Sequence, residues 1–173
     1  MRIGTSGGIK LDVTGGDLCI ASAAVRGEGT SREYLPEGYP AAADYQVVSA
    51  LAQSAAELCD GSFGNSYHVG VVHSKDSFYG EVEPQNSAVA KKLADNWDGY
   101  KACGCLTSEM ECAAIFSVGL LRGARCGAVL TALWNVERSN AGLPDNITDD
   151  SSRAIQCVIG AVKKLIEQDK AQK

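Results

Sequence analysis

The sequence lacks any apolar run of the roughly 20 residues that a membrane-spanning helix requires. It also lacks an apolar segment behind a basic N-terminus, so we expect no secretion signal. Lysine and arginine are scattered, and the net charge is −5, whereas nucleic-acid-binding surfaces have clustered basic residues. The sequence therefore predicts a protein without a membrane or nucleic-acid partner.

The seven cysteines do not form a metal-binding motif. Cys103 and Cys105 make a C-x-C pair, but no second pair or histidine follows at zinc-finger spacing. Cys112, Cys126 and Cys157 lie in apolar runs, where cysteine behaves as a small buried hydrophobic residue. An odd number of cysteines without a signal peptide fits a reducing compartment. We therefore expect no metal site and a cytoplasmic location.

The length and composition are those of one globular domain. Hydrophobic residues make up 45% of the chain and charged residues 21%, which is ordinary usage. A chain of 173 residues is long enough for one hydrophobic core, so we expect a single domain over residues 1–173. No repeat or low-complexity segment divides it.

Strand-like and helix-like apolar patterns alternate along the chain, which predicts an α/β fold with a parallel or mixed sheet. The region Met1–Ile3 is expected to form only a short strand before a glycine-rich turn, so we expect few strands. The predicted strands are Asp17–Val25, Tyr67–His73 and Cys126–Leu133. The predicted helices are Ala43–Leu58, Ser87–Trp97, Ser108–Leu121 and Ser151–Gln168.

Three segments carry residues suited to ligand binding. In Arg2–Gly8, small and hydroxyl residues after a strand expose backbone N–H groups that, with Arg2, suit an anion. Such a turn is also typical of a simple tight connection. In Lys75–Gly80, just after a buried strand, Phe78 or Tyr79 can stack on a flat base or fill the core.

The third segment, Ser108–Glu111, has two carboxylates flanking a methionine before an apolar run. Carboxylates in this position can accept hydrogen bonds from the vicinal hydroxyls of a sugar, and Met110 can pack on the sugar face. A helix-capping arrangement with surface acids is the alternative. Because Cys112–Ala114 is apolar, Glu109 and Glu111 cannot both lie on an outer face.

Together these segments resemble the nucleoside phosphorylases of the uridine and bacterial purine type. The matching motifs are Arg-Ile-Gly-Thr from Arg2, Asp-Ser-Phe-Tyr from Asp76 and Ser-Glu-Met-Glu from Ser108, and Val25–Tyr34 and Pro40–Tyr45 also match. The similarity runs from Arg2 to about Ile166 and is greatest to the uridine-phosphorylase-like branch. It implies a three-layer fold, in which helices flank a mixed central sheet.

Enzymes of this family cleave the N-glycosidic bond of a nucleoside with inorganic phosphate, which gives a free base and ribose 1-phosphate. The resemblance implies that phosphate is a co-substrate, that no metal or organic cofactor is needed, and that the protein forms a homo-oligomer, either a dimer or a hexamer. It assigns catalysis to Glu111 and Arg2, and phosphate binding to Arg2 and Thr5. It assigns ribose binding to Glu109, Met110 and Glu111, and base binding to Ser6, Gly7, Phe78, Glu81 and Trp134.

Some positions depart from the family pattern. Uridine enzymes have a glutamine and an arginine that bind the uracil edge, whereas this chain has Glu81 near the glutamine position and no arginine. An ionised carboxylate cannot donate a hydrogen bond to a uracil carbonyl. Leu133 and Trp134 stand where purine enzymes have a serine and an aspartate. The base is therefore left open between a uridine-type pyrimidine, which we expect, and a purine.

The resemblance places this chain in the C-terminal two-thirds of a phosphorylase domain truncated at its N-terminus. The family's Gly-Asp-Pro phosphate loop and a second phosphate-binding arginine belong to the preceding part, so we expect little or no phosphorolysis by this chain alone. One alternative is a catalytically silent remnant that binds nucleoside or ribose, or assists assembly. Another is a nucleosidase that uses water, which would require a base-protonating aspartate near Trp134.

Overall fold

Six strands and six α-helices alternate along residues 1–171, which are the residues described by the structure, a computed structural model. The strands are β1 (Arg2–Gly8), β2 (Leu18–Gly27), β3 (Ala41–Ala42), β4 (Tyr67–Lys75), β5 (Thr107–Glu109) and β6 (Ala128–Asn135). The helices are α1 (Tyr45–Leu58), α2 (Tyr79–Val82), α3 (Ala90–Ala102), α4 (Cys112–Leu121), α5 (Val136–Asn140) and α6 (Ser152–Ala171). Short 3-10 helices occupy Thr30–Glu33 and Pro84–Asn86.

The strands form one mixed sheet in the order β3-β2-β4-β5-β1-β6. Pairs β1–β6, β2–β4 and β4–β5 are parallel, whereas β1–β5 and β2–β3 are antiparallel. The first half of β2 also pairs with β6, which closes the sheet on itself. The predicted α/β class with a mixed central sheet is confirmed, and the closure is a feature that the sequence patterns did not indicate.

Helices cover both faces of the sheet. On one face α1 and α6 pack on β2 and β6 through a cluster that includes Leu18, Ile20, Leu51, Val129 and Cys157. On the other face α4 packs through Phe116 and its apolar neighbours on β2, β3 and β4. Helix α1 begins where the Asp44 carboxylate accepts the N–H of Val47 at 3.0 Å. These layers hold the strand ends that form the site.

The expected short first strand is wrong. β1 extends over all seven residues of Arg2–Gly8 and pairs along its length with β6, so the sheet has more strands than expected within residues 1–171. A Cβ on Gly8 would lie 2.7 Å from Cβ of Asn135, so the close approach of the two strands at this point favours glycine.

The expected start of a helix at Ser108 is also wrong. Thr107–Glu109 form β5, in which Ser108 pairs with Gly7 of β1 and His73 of β4, and α4 begins only at Cys112. The short strand therefore joins β1 to β4 and fixes the backbone that precedes Glu111. Over residues 1–171, the structure has no helix of the length and apolarity needed to cross a membrane.

Candidate active site

A cavity of about 160 Å³ lies where β1, β4, β5 and β6 meet the loops that follow them. Every residue that the sequence analysis assigned to a site lines this cavity, although their individual roles stay predictions. The lining residues are Arg2, Thr5, Ser6, Gly7, Lys75, Phe78, Glu81, Ser108, Glu109, Met110, Glu111, Leu133 and Trp134. The structure thus brings together segments that are more than 100 positions apart in the sequence.

Arg2 brings a largely buried positive charge to the cavity. Its guanidinium lies over Gly4, bonds to the Glu111 carboxylate through Nη2, and places Nη1 3.6 Å from Oε2 of Glu109. Within residues 1–171, Nη1 is buried without a hydrogen-bond partner. Since buried donors are nearly always satisfied in proteins, this N–H is suited to an anionic ligand.

Glu109 is buried and holds the N-terminus of α4. Its Oε2 accepts hydrogen bonds from the backbone N–H groups of Glu111 and Cys112, both at 2.9 Å, and its Oε1 accepts one from the hydroxyl of Ser74. The Ser74 oxygen in turn accepts the N–H of Ala113 at 2.9 Å. Carboxylates near a helix N-terminus also interact favourably with the helix dipole. Protein groups therefore occupy much of the hydrogen-bonding capacity of Glu109.

Met110 and Glu111 are the accessible members of the acidic motif. The Glu111 side chain is 52% exposed, and Met110 is also exposed at the rim of the cavity. The carboxylate of Glu111 is thus free to exchange its contact with Arg2 for contacts with a ligand. The sequence analysis expected that the two glutamates could not both lie on an outer face, and the structure buries Glu109 and exposes Glu111.

Lys75, Glu81 and Ser108 form a polar cluster on the wall of the cavity next to Phe78. Lys75 Nζ lies 2.7 Å from Oε2 of Glu81 and donates to the Ser108 hydroxyl at 2.6 Å. That hydroxyl donates to Oε2 of Glu81. The sequence analysis assigned no role to Lys75 or Ser108. The position of Lys75, a charged residue at the end of a buried strand, could have indicated that it belongs to the site.

A β-bulge in β6 turns two consecutive side chains towards the cavity. Ser6 pairs with Ala132 and Gly7 with Trp134, so Leu133 is an extra residue in the ladder. Neighbouring side chains in a regular strand point to opposite faces, and a bulge changes this alternation. Both Leu133 and Trp134 consequently line the cavity. A Cβ on Gly7 would meet no atom within 4 Å, so the space beside it is open.

A second cavity of about 420 Å³ lies beyond the Lys75–Glu81 pair and is lined by residues of β4 and α3. The His73 ring stacks there on Tyr100 with ring centroids 4.2 Å apart. Burial, together with the charge of Lys75, lowers the pKa of His73 to about 4. His73 is therefore neutral at pH 7.

Burial also raises the pKa of the Cys112 thiol, so this thiol stays protonated and is a poor nucleophile. No group of three or more histidine, cysteine, aspartate or glutamate residues within residues 1–171 is arranged to hold a metal ion.

Comparison with known proteins gives consistent matches. Residues 1–167 match the model of the phosphorylase superfamily. The chain is 41% identical over 169 residues to a uridine phosphorylase of Treponema pallidum, which covers 98% of this chain and 64% of the relative. It is 33% identical over 172 residues to a guanosine phosphorylase of Halorubrum lacusprofundi, covering 95% of this chain and 65% of that protein.

A uridine phosphorylase of Escherichia coli is 29% identical over 169 residues, covering 96% of this chain and 65% of the relative. The chain therefore spans slightly less than two thirds of the length of these relatives. Because the family match extends over nearly all of the sequence, this chain belongs to the phosphorylase superfamily.

Proposed function

We propose that this chain is the nucleoside-binding part of a nucleoside phosphorylase that acts on a uridine-type nucleoside. The reaction transfers the ribosyl group to inorganic phosphate and gives a free base and ribose 1-phosphate. The observation that carries this proposal is the content of one cavity: a buried guanidinium, an exposed carboxylate beside a methionine, and an aromatic ring beside a polar cluster. The names of the relatives, which include uridine and guanosine phosphorylases, support the same reaction class.

In this proposal the substrates lie along the cavity in the order phosphate, ribose, base. Phosphate binds Arg2 and Thr5, so Arg2 exchanges its contact with Glu111 for the phosphate dianion. Glu111 then accepts hydrogen bonds from the ribose hydroxyls, and Met110 packs on the sugar. Glu109 contributes by fixing the backbone at the start of α4, which places Glu111 beside the ribose.

The base lies against Phe78 and Trp134, above the open backbone at Ser6 and Gly7, with its edge near Glu81. During the reaction a phosphate oxygen forms a bond to C1′ while the bond from C1′ to the base nitrogen breaks and its electron pair moves to the base. Positive charge develops on the sugar, and the phosphate and Glu111 stabilise it because their negative charges are already in place. Phosphate is the co-substrate, and the proposal requires no metal or organic cofactor.

We also propose that the protein acts in the cytoplasm, in nucleoside salvage, as a homo-oligomer that is a dimer or a hexamer. Helix α6 supports the assembly, because it carries an exposed apolar stripe besides the one that packs on the sheet. The stripe has helical spacing and consists of Ile155, Ile159, Val162 and Ile166. Contiguous exposed apolar patches often mark protein interfaces. A second copy of this chain is the occupant that we propose.

The proposed reaction is tested by measuring uracil release from uridine with and without phosphate. We expect slow turnover that requires phosphate, because two phosphate-binding side chains are fewer than the family resemblance implies, and one missing donor commonly costs about 10²–10³ in rate. Glu111→Ala and Arg2→Met should reduce it to background, whereas Glu83→Gln, outside the cavity, should not. Phosphate-dependent release that is equal in all variants would contradict the proposal.

A further inference from the structure

Ser74 joins three elements of the fold although it does not line the cavity. It is the penultimate residue of β4, is fully buried, and pairs with Glu109 of β5 in the parallel ladder. Its hydroxyl donates to Oε1 of Glu109 and accepts the N–H of Ala113, in the first turn of α4, at 2.9 Å. One hydroxyl group therefore connects β4, β5 and α4 directly behind the acidic motif.

The contact with Ser74 fixes the orientation of the Glu109 carboxylate. Oε1 accepts the Ser74 hydroxyl, while Oε2 accepts the backbone N–H groups of Glu111 and Cys112. The terminal torsion of a glutamate has only a broad intrinsic preference, so hydrogen bonds at both oxygens are needed to hold the carboxylate in one orientation. Without Ser74, the contacts at Oε2 alone would leave it free to turn.

The orientation of Glu109 in turn fixes two groups that line the cavity. The N–H of Glu111 binds Oε2 of Glu109, so this oxygen sets the direction in which the Glu111 side chain leaves the backbone. Nη1 of Arg2 lies 3.6 Å from the same oxygen, and Arg2 also contacts the Glu111 carboxylate. The guanidinium consequently keeps a counter-charge when Glu111 turns to a ligand.

We propose that Ser74 is a positioning residue for the ribose site, which acts through Glu109 to place the Glu111 carboxylate. This inference rests on the proposed function, in which Glu111 accepts hydrogen bonds from the ribose hydroxyls. Serine suits this role because a hydroxyl both donates and accepts, and Ser74 uses both capacities. Alanine would leave Oε1 of Glu109 and the N–H of Ala113 without partners, so the carboxylate would turn and the backbone at Glu111 would shift with it.

The test compares the affinities of the complete chain for uridine and for 2′,3′-dideoxyuridine, which lacks both hydroxyls that Glu111 would bind. Isothermal titration calorimetry measures both, with sulfate in place of phosphate because sulfate can pair with Arg2 but is a much weaker nucleophile. We expect uridine to bind at least about tenfold more tightly, the value of one charged hydrogen bond. Ser74→Ala should reduce this ratio to below about threefold, because small displacements of a positioned group remove most of its effect. A purely structural role of Ser74 would weaken both ligands equally and leave the ratio unchanged.

Ser117→Ala is the matched control. Ser117 is also a fully buried serine, and its hydroxyl has no hydrogen-bond partner among residues 1–171, so this variant should keep the ratio of the unchanged chain. Ser74→Thr retains the hydroxyl and should keep most of the ratio. Ser74→Cys has nearly the size of serine but only a weak donor, so it should lose the ratio as alanine does, and it decides the question if Ser74→Ala does not fold.

An unchanged ratio in Ser74→Ala or Ser74→Cys, or a ratio that falls equally in Ser74→Thr, would overturn the inference and leave the proposed function standing. Equal affinities for the two ligands in the unchanged chain would contradict the proposed role of Glu111. That result would overturn the proposed function, and the inference with it.

Discussion

Glu109 and Glu111 are two positions apart, yet the structure predicts opposite consequences when each is replaced by alanine. Glu109 is buried and accepts two backbone N–H groups at the start of α4 as well as the Ser74 hydroxyl. Glu111 is half exposed and contacts Arg2. Glu109→Ala should therefore destabilise the fold, whereas Glu111→Ala should impair ligand binding.

The magnitude follows from the groups left without a partner. Each buried donor without an acceptor costs about 1–3 kcal/mol, and Glu109→Ala removes the acceptor for three, so at the lower end of that range it costs about 3 kcal/mol. For a domain of this size that corresponds to about 6–12 °C in the melting temperature. Glu111→Ala should cost less than Glu109→Ala, since it removes one contact of a half-exposed carboxylate and leaves Arg2 close to Glu109. Glu109→Gln, which keeps one acceptor oxygen, should lie between the two.

Urea unfolding of the three variants and the unchanged chain, followed by far-UV circular dichroism, measures these differences. Parallel titrations with uridine separate folding from binding, because Glu111→Ala should bind uridine weakly while it unfolds near the wild-type midpoint. If both alanine variants lose the same stability, or if Glu111→Ala loses more, the distinction between the two glutamates is incorrect.

Three further predictions concern other parts of the molecule. In Gly4→Ala the new Cβ would lie 2.3 Å from Nη1 of Arg2 and displace the guanidinium. Calorimetry should therefore show that phosphate binding is weakened by about tenfold, the value of one charged hydrogen bond. Unchanged phosphate binding would contradict the position of Arg2. Burial lowers the pKa of His73 to about 4, so between pH 4 and 6.5 the unfolded state binds more protons than the folded state. The free energy of unfolding should therefore fall by up to roughly 3 kcal/mol as the pH decreases through this window. His73→Gln should flatten that slope, and an unchanged slope would contradict the shifted pKa. Ile159→Lys should reduce self-association in sedimentation velocity, and Gln156→Lys, a neighbouring exposed position on α6, should not; equal effects would argue against the apolar stripe as an interface.

Much of the fold could be predicted from the periodicity of apolar residues. Helix α1 was expected from Ala43 and begins at Tyr45, and α6 was expected over Ser151–Gln168 and extends over Ser152–Ala171. The length of the first strand was underestimated because Arg2–Gly8 contains three glycines, which have little intrinsic strand preference. Its pairing partner, β6, lies over 100 residues away in the chain, so local pattern could not indicate the ladder.

The candidate site depended on the resemblance to a family more than on local pattern. No periodicity relates Arg2, Phe78 and Glu111, which share a cavity only because β1, β4 and β5 are neighbours in the sheet. The capping role of Glu109 was considered for the motif as a whole, but the division between a buried and an exposed glutamate required coordinates. The contact between Lys75 and Glu81 also required them, because a six-residue separation across a strand end and a short helix has no fixed geometry.

The central claim is that the cavity between Arg2 and Phe78 binds phosphate, ribose and base in that order. A crystal structure of the chain grown with ribose 1-phosphate and uracil tests it most directly. The account predicts phosphate oxygens within hydrogen-bond distance of Arg2, ribose hydroxyls on Glu111, and uracil against Phe78. Ligands bound elsewhere, for example in the larger cavity beside Tyr100, with the contact between Arg2 and Glu111 intact, would contradict it.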